Sequence, residues 1–433
     1  MKALLKKIIV WILTLQSQAV LAKYKPKIIA VTGNIGKTST KDAIGSVLAM
    51  HRHVRKSDKS YNSEFGVTLT ILGAESGWSS PKAWLAIIVK SLWQLLVKVD
   101  YPEILVLEVG ADGPGDIQRI SKWLKPDITV VTQFQKVPVH IEFFKDRAEL
   151  IREKGYLVEA TKRDGLILFT SDDHDSHELS KLSHVQKVSF GFENWSDIKA
   201  ESVDTLYEVI GDTENPVGLS ARVTLGDTSM PMRIMGVLGG GHIYSALPAL
   251  YIGTLFGVNL HEGIQAIEMK PKPKGRMRLL RGVKKTTIID DTYNASPKAV
   301  EHALRTLSGL HTNGKKIAVL GDMAELGKES ASEHFRIGEV VAESAHVLVT
   351  IGIKSREIAE GALSRGMLDS QIFQYESSSE AGIFVETILE KEDIVLVKGS
   401  QSVRAEKVVE EILAEADRVG ELLVRQETEW KKR

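Results

Sequence analysis

Residues 27–38 read Lys27-Ile28-Ile29-Ala30-Val31-Thr32-Gly33-Asn34-Ile35-Gly36-Lys37-Thr38, and Ser39-Thr40-Lys41 follow. The first six residues form an apolar run that ends at a glycine, the pattern of a short strand buried on both faces. From Lys37 to about Met50 the spacing turns helical. A strand, a glycine-containing turn and a helix in that order build a phosphate cradle. Glycines let backbone N–H groups close around anionic oxygens, and the helix N-terminus adds a favourable dipole. Lys37 would neutralise the β- and γ-phosphates, and the Thr38 hydroxyl would ligate Mg²⁺. The expected nucleotide-binding set is therefore Gly33, Asn34, Gly36, Lys37, Thr38 and Ser39. The strict pattern has glycine where Val31 stands, so this is a variant loop. A turn that merely caps a helix is the alternative, and the strand before it argues against that.

Working outward, residues 103–108 (EILVLE) and 127–132 (DITVVT) read as two more buried strands, with a helix between them starting near Pro114. Such alternation implies a parallel sheet covered by helices on both faces. Residues 183–235 are richer in Thr, Asp and Gly and read as a β-rich annex to this first domain. Lys270-Pro271-Lys272-Pro273-Lys274-Gly275 is the clearest linker in the chain. After it, a second alternating series has strands at residues 286–291, 315–320, 346–351 and 393–397. The expected fold class is α/β. A central ATPase domain with a P-loop and a parallel sheet occupies residues 25–272, a doubly wound Rossmann-like domain occupies residues 273–433, and an amphipathic helix occupies residues 1–24.

A chain of 433 residues is too long for one ordinary core. Lys+Arg and Asp+Glu are 56 each, so the net charge is zero and no basic surface invites nucleic acid. Cysteine is absent, which excludes disulfides, thiolate catalysis and zinc–sulfur sites. At the N-terminus Lys2, Lys6 and Lys7 precede an apolar run at residues 8–15, and Val20-Leu21-Ala22 looks like a cleavage site. Gln16, Ser17 and Gln18 interrupt that run, leaving it too short to span a bilayer. A nucleotide loop follows within a strand's length, and ATP is not available outside the cell. The segment therefore reads as an uncleaved amphipathic helix on a cytoplasmic protein.

Phosphoryl transfer needs Mg²⁺ to screen charge on the γ-phosphate. Glu108 ends an apolar strand, and a carboxylate at that end of a parallel strand points at the ligand crevice. A solvated strand-end Glu is the alternative. His140, in Val137-Pro138-Val139-His140-Ile141-Glu142, follows the strand ending at Thr132, and Lys154 lies in a helical stretch beyond it. Taken singly, these two read as a loop histidine and a surface lysine.

Other runs accompany these. They are TGNIGKTSTK from Thr32, YNSEFGVTLTILG from Tyr61, LEVGADGPGDI from Leu107 and EKG from Glu153. In the second half come KGRM from Lys274, IDDTYNASP from Ile289, AVLGDMAELG from Ala318 with the later His334, and VKGSQSVR from Val397. Together, from about residue 25 to about residue 415, they resemble the Mur ligase superfamily, which builds the peptide stem of bacterial peptidoglycan. The resemblance implies an ADP-forming ligase that uses ATP to join a carboxylate to an amine through an acyl phosphate. The indicated reaction adds D-alanyl-D-alanine to a muramoyl tripeptide precursor. It further implies catalytic roles for Lys37, Glu108, His140 and Lys154 and two Mg²⁺ ions. Thr38 and Glu108 would serve the first ion and His140 the second, and Lys154 matches a lysine carbamylated by CO₂. Arg276 and Asp291 would touch the γ-phosphate and the ribose. Ser245 falls in the adenine-binding stretch. Asn62, Asn294, Lys398, Ser400 and Arg404 would line the substrate site.

The sequence also departs from the pattern. Superfamily members ordinarily carry an N-terminal domain that grips the UDP-sugar end of the substrate, and here the phosphate loop begins near residue 31, so that domain is expected to be missing. Ser63 stands for a usual Asn, Thr68 for a usual Pro and Ser245 for an expected Asn, with His242 shifted by one position. Two apolar additions, residues 1–22 and 82–99, carry Trp11, Trp84 and Trp93. In projection Lys90, Ser91, Gln94 and Lys98 share one narrow face. The two segments read either as helices at the inner face of a membrane or as helices packed on each other or on a second copy. Rival functions are the same chemistry on another carboxylate (a cofactor, polyglutamate or lipid-linked precursor) and a nucleotide-binding scaffold for wall enzymes.

Overall fold

The computed structural model describes residues 2–57, 61–77, 80–137, 140–211, 213–427 and 430, and the side chains among them other than those of residues 2–7 and 210. The Lys2, Lys6 and Lys7 side chains, and Pro138 and Val139 of the His140 run, lie outside the described residues.

The first sheet has nine strands: β1 (Lys27–Thr32), β2 (Val54–Lys56), β3 (Ile104–Glu108), β4 (Ile128–Val131), β5 (Leu166–Thr170), β6 (Gln186–Gly191), β7 (Ile198–Ile210), β8 (Thr213–Leu225) and β9 (Thr228–Met235). Their order is β2-β3-β1-β4-β5-β6-β7-β8-β9. Pairing is parallel from β2 through β7 and antiparallel from β7 to β9. Ile29, Ala30 and Val31 have no exposure at all, which is why β1 is a continuous apolar run with no alternation. The order reverses at β1, between β3 and β4, and ligands bind such sheets where the strand order reverses.

Among the described residues nine helices accompany these strands: α1 (Lys2–Tyr24), α2 (Lys37–Leu48), α3 (Glu64–Leu72), α4 (Pro81–Leu96), α5 (Asp116–Trp123), α6 (Arg147–Glu159), α7 (His174–Ser180), α8 (Gly241–Leu255) and α9 (Leu260–Met269). Residues 183–235 prove to be the outer strands of this same sheet. Phe190 pairs with Ile198, and Phe190, Ala200, Val223 and Met232 share one buried cluster with α2 and α8.

The second sheet contains β10 (Arg278–Arg281), β11 (Thr287–Asp291), β12 (Lys316–Gly321), β13 (Val347–Ile351), β14 (Ile372–Tyr375) and β15 (Ile394–Lys398), in the order β10-β11-β15-β12-β13-β14. It is parallel except for the β10–β11 pair. Helices α10 (Pro297–Ser308), α11 (Ser330–Ala342), α12 (Arg356–Ser364), α13 (Ser378–Ile388) and α14 (Glu406–Ile412) alternate with the strands. Edge strand β14 carries no continuous apolar signal, because only Ile372 of its four residues is fully buried.

The Lys-Pro linker enters β10 through Gly275, whose φ is 65° and whose N–H donates to Asp290 Oδ2 at 3.0 Å. Helices α1 and α4 lie side by side. In α4 the inward face contains Ser91 and Gln94, while Lys90 and Lys98 of the projected polar face are exposed. No helix among the described residues is long and apolar enough to cross a membrane.

Candidate nucleotide and metal site

The cradle is shaped by its two glycines. Gly33 has φ 131°, and a Cβ there would fall 2.1 Å from Thr132 Oγ1; Gly36 has φ 82° and caps α2. The loop is anchored to β4 by Asn34 and Ile35 N–H groups donating to Gln133 O at 2.9 and 3.1 Å. The first-turn N–H groups of α2, from Lys37 through Ser39, have no intrahelical acceptor and face outward from the helix start. Lys37 Nζ lies on its own loop, donating to Asn34 O at 3.1 Å. Ser245, on α8, is buried beside the loop: its Oγ stands 3.8 Å from where a Gly36 Cβ would be. A cavity lined by Ser39, His242, Ser245, Lys270 and Lys272 opens next to this turn.

Three buried oxygens around the cradle have no hydrogen-bond partner: Thr32 Oγ1, Asn34 Oδ1 and Glu108 Oε2. Buried acceptors are almost always paired, so each one marks a missing donor or cation. Glu108 is at the end of β3, directly opposite Val31, and is 2% exposed.

Lys154, on α6, is 4% exposed, and no described side chain pairs with it. Burial pulls its pKa down to about 7, and the Lys37 charge adds to the drop, against Glu153, Asp112 and Glu108. Burial also lowers Lys37, opposed by the charges of Glu108 and Asp112 and reinforced by Arg276. Lys154 is held in place by its neighbour: the Glu153 carboxylate accepts from the N–H groups of Gly115, Ile117 and Gln118 at 2.9, 2.6 and 3.0 Å, capping α5. His140 has φ 70° and pairs through Nδ1 with Glu325 Oε2 at 2.7 Å. Burial lowers its pKa, against the pull of Glu325 and Asp112.

Lys37 is thus within electrostatic reach of Glu108, His140, Lys154 and Arg276. Asp112 and Glu325 join them, and sequence reasoning gave those two no role. Asp112 had a faint signal, four residues beyond Glu108 in the turn after β3. Glu325 lay in the AVLGDMAELG run without a role of its own, because its place depends on the second sheet. Among the described residues no three His, Asp or Glu side chains converge on a metal position.

The nucleotide and substrate residues expected from the second half divide into two groups. Asp291 and Lys398 are register partners on β11 and β15, bonded Nζ to Oδ2 at 2.6 Å. Asp291 Oδ1 accepts from Met277 N–H at 3.1 Å, so both its oxygens are already used. Lys398 also donates to Asn294 O at 2.9 Å. Ser400 Oγ accepts from Ala324 N–H at 2.8 Å, and His334 Nε2 accepts from Met323 N–H at 2.9 Å. Together they fix the turn that presents Glu325 to His140. The Arg276 guanidinium lies 4.0 Å from the Tyr293 ring centroid. Arg404 is set apart, paired with Glu406 at 2.5 Å and donating to Trp430 O at 2.9 Å. Asn62 stays near the first sheet, its carbonyl accepting from Gly110 N–H at 2.8 Å.

Comparison with known proteins finds one family domain on each half of the chain. The Mur ligase middle domain matches residues 31–215, and the Mur ligase glutamate ligase domain matches residues 275–401. UDP-N-acetylmuramoyl-tripeptide–D-alanyl-D-alanine ligase of Bacillus subtilis is 25% identical over 402 residues, covering 92% of this chain and 78% of the relative. The Mycobacterium leprae enzyme of the same name is 27% identical over 408 residues, covering 87% of this chain and 71% of the relative. Among solved structures, MurF ligase of Thermotoga maritima in complex with ADP superposes with a TM-score of 0.74 at 24% identity, covering 95% of this chain and 84% of that one. Folylpolyglutamate synthase of Mycobacterium tuberculosis shares the fold at a TM-score of 0.64 and 14% identity, covering 92% of this chain and 94% of that one. With one matched domain on each sheet and the phosphate loop at the head of the first, the chain belongs to the Mur ligase family.

Proposed function

We propose that the protein uses ATP to join D-alanyl-D-alanine to the carboxylate of a UDP-N-acetylmuramoyl tripeptide, in the cytoplasm, as a step of peptidoglycan precursor synthesis. The observation that carries the reading is the set of poorly matched charges at the cradle: half-buried Lys37 and buried Lys154, both with lowered pKa values, near Glu108, which has one oxygen unpartnered. That arrangement is poorly satisfied alone and well satisfied by a polyphosphate with its cation. The reaction named for the two relatives supplies the substrates.

A substrate carboxylate oxygen attacks the γ-phosphorus, the bond to the bridging oxygen breaks, and ADP leaves an acyl phosphate. The dipeptide amine attacks the acyl carbon, the C–O bond to phosphate breaks, and phosphate departs while the nitrogen gives up a proton. Lys37 and the α2 first-turn N–H groups hold the phosphates where charge gathers. Arg276 brings a further cation from the second sheet, so closure of the two sheets completes the site and excludes water. His140, kept neutral by burial, stands ready to accept the amine proton. The residues fit Mg²⁺, which Thr38 and Glu108 would hold, with His140 beside a second ion. When bound, the metal screens charge on the γ-phosphate. Lys154, about half neutral near pH 7, has the free amine that carbamylation by CO₂ requires. Addition of CO₂ to that neutral amine forms an N–C bond and releases one proton; counting the proton the ammonium gives up first, two protons leave as the cation becomes an anion.

The test is phosphate release with mass analysis of the product, offering ATP with the muramoyl tripeptide and D-alanyl-D-alanine, separately and together. Release and ligated product only with both supports the reading. Product with glutamate on another carboxylate would replace it with the cofactor reading, and tight ATP binding with no turnover on any pair would replace it with the scaffold reading.

A further inference from the structure

Helices α1 and α4 turn their polar residues inward. Gln16, Ser17, Ser91 and Gln94 are each under a tenth exposed, and each donates to a backbone carbonyl. Gln16 donates to Ile88 O at 3.0 Å, Ser17 to Thr68 O at 3.4 Å, Ser91 to Ile87 O at 2.8 Å and Gln94 to Leu72 O at 3.0 Å. The bonds from Gln16 to Ile88 and from Lys23 to Leu95 both span 72 residues, so the two helices run side by side in the same direction.

Bulky apolar residues occupy the outward faces. On α4 these are Leu85, Val89, Leu92, Trp93 and Leu96, spaced along one side of the helix; on α1 they are Ile8, Trp11 and Leu15. Trp11 is 63% exposed, Trp93 60% and Leu96 81%. Single exposed hydrophobics are ordinary, but a side-by-side pair of helices showing eight is a surface awaiting an occupant.

Charge selects the occupant. Residues 2–24 and 81–98 contain seven lysines and no Asp or Glu, in a chain whose overall charge is zero. Among the described side chains Lys82, Lys90 and Lys98 are exposed, and a two-fold contact with a second copy would set them against themselves with no acid in either helix to relieve them. An anionic bilayer complements both features. Its interface accepts tryptophan and leucine to shallow depth, and its headgroups attract lysine. We propose that this face docks the protein in the plane of an anionic membrane surface, both helices lying along the interface without crossing it.

The experiment is flotation of the full-length chain with vesicles containing about a third phosphatidylglycerol, or phosphatidylcholine alone, at low salt and at about 0.5 M salt. The expected result is binding to the anionic vesicles, weakened by salt, and little to the neutral ones. The triple substitution Trp11→Ser, Trp93→Ser, Leu96→Ser should lower partition by at least about tenfold. Because these side chains are exposed, its urea unfolding curve and its ATP turnover should stay unchanged. Equal flotation of the triple variant, or no flotation with either vesicle, overturns the proposal. So does a lipid-free dimer that the triple variant dissolves, which would assign the face to a second copy.

Discussion

Replacing Lys154 with methionine should make the protein more stable at neutral pH while removing its activity. The folded state holds the Lys154 pKa at about 7, against the usual 10.5. Between those values the unfolded chain binds a proton that the folded chain does not, so stability rises with pH across that window. Below about pH 7 both states are protonated, and the fold carries the full penalty of a buried cation. The drop to about 7 corresponds to about 5 kcal/mol, an upper bound that relaxation reduces. Methionine keeps most of the stem's volume, and its imperfect fit costs about 1 kcal/mol. The net gain expected from Lys154→Met at pH 6.5 is therefore about 2–4 kcal/mol, shrinking toward zero or below by pH 10. Urea unfolding of both proteins at several pH values, in buffer purged of CO₂, measures it. Other titrating groups largely cancel in the difference between two nearly identical chains. A variant that is less stable than the parent at pH 6.5, or a difference that stays flat to pH 10, refutes the burial argument.

Four further outcomes follow from the geometry. Lys37→Ala should cut product formation by about a thousandfold or more, with the urea midpoint unchanged or raised because a partly desolvated cation is gone. Glu108→Gln should raise the Mg²⁺ concentration for half-maximal rate by about a hundredfold, without loss of stability in metal-free buffer; a metal titration and a thermal melt read both. Lys398→Met leaves Asp291 as an unpaired buried charge and should cost about 3–5 kcal/mol in urea, much of it recovered by adding Asp291→Leu. Glu325→Gln should lower kcat by about tenfold while ADP affinity, measured by calorimetry, stays constant, since the contact is with His140 and not with the phosphate cradle.

What the sequence revealed follows from how far each signal reaches along the chain. The cradle was legible because β1, the turn and α2 are contiguous, and because Ile29, Ala30 and Val31 are buried on both faces of a parallel sheet and leave an uninterrupted apolar run. Glu108 was legible as the terminal residue of a similar run. The Asp291–Lys398 bond spans 107 residues and exists only because β11 and β15 are neighbours in register. Neither residue shows that by itself, and Asp291 was expected at a ribose instead of inside a buried pair. The His140–Glu325 contact joins the two halves and was equally invisible. Arg404, expected to read a substrate carboxylate, is engaged by Glu406 and by the chain near Trp430, a local match that position in a family run does not reveal. Helical projection grouped Ser91 and Gln94 correctly but could not say which way they face. For Gln94 that depended on the Leu72 carbonyl at the end of α3, which only the packed structure brings within reach.

The charges at the site share one logic. The Lys37 charge lowers the proton affinity of Lys154, and burial lowers both. Glu108 is close enough to oppose both shifts yet keeps one oxygen without a partner. A site optimised for stability would pair these groups or replace them with hydrocarbon. Leaving them mismatched keeps the fold less stable than it could be and reserves their electrostatic complement for a ligand that carries several negative charges and a cation of its own. The stabilisation expected from Lys154→Met and the inactivity expected of the same variant are thus two measurements of one quantity, the electrostatic cost the fold bears so that the phosphate cradle is ready before ATP arrives.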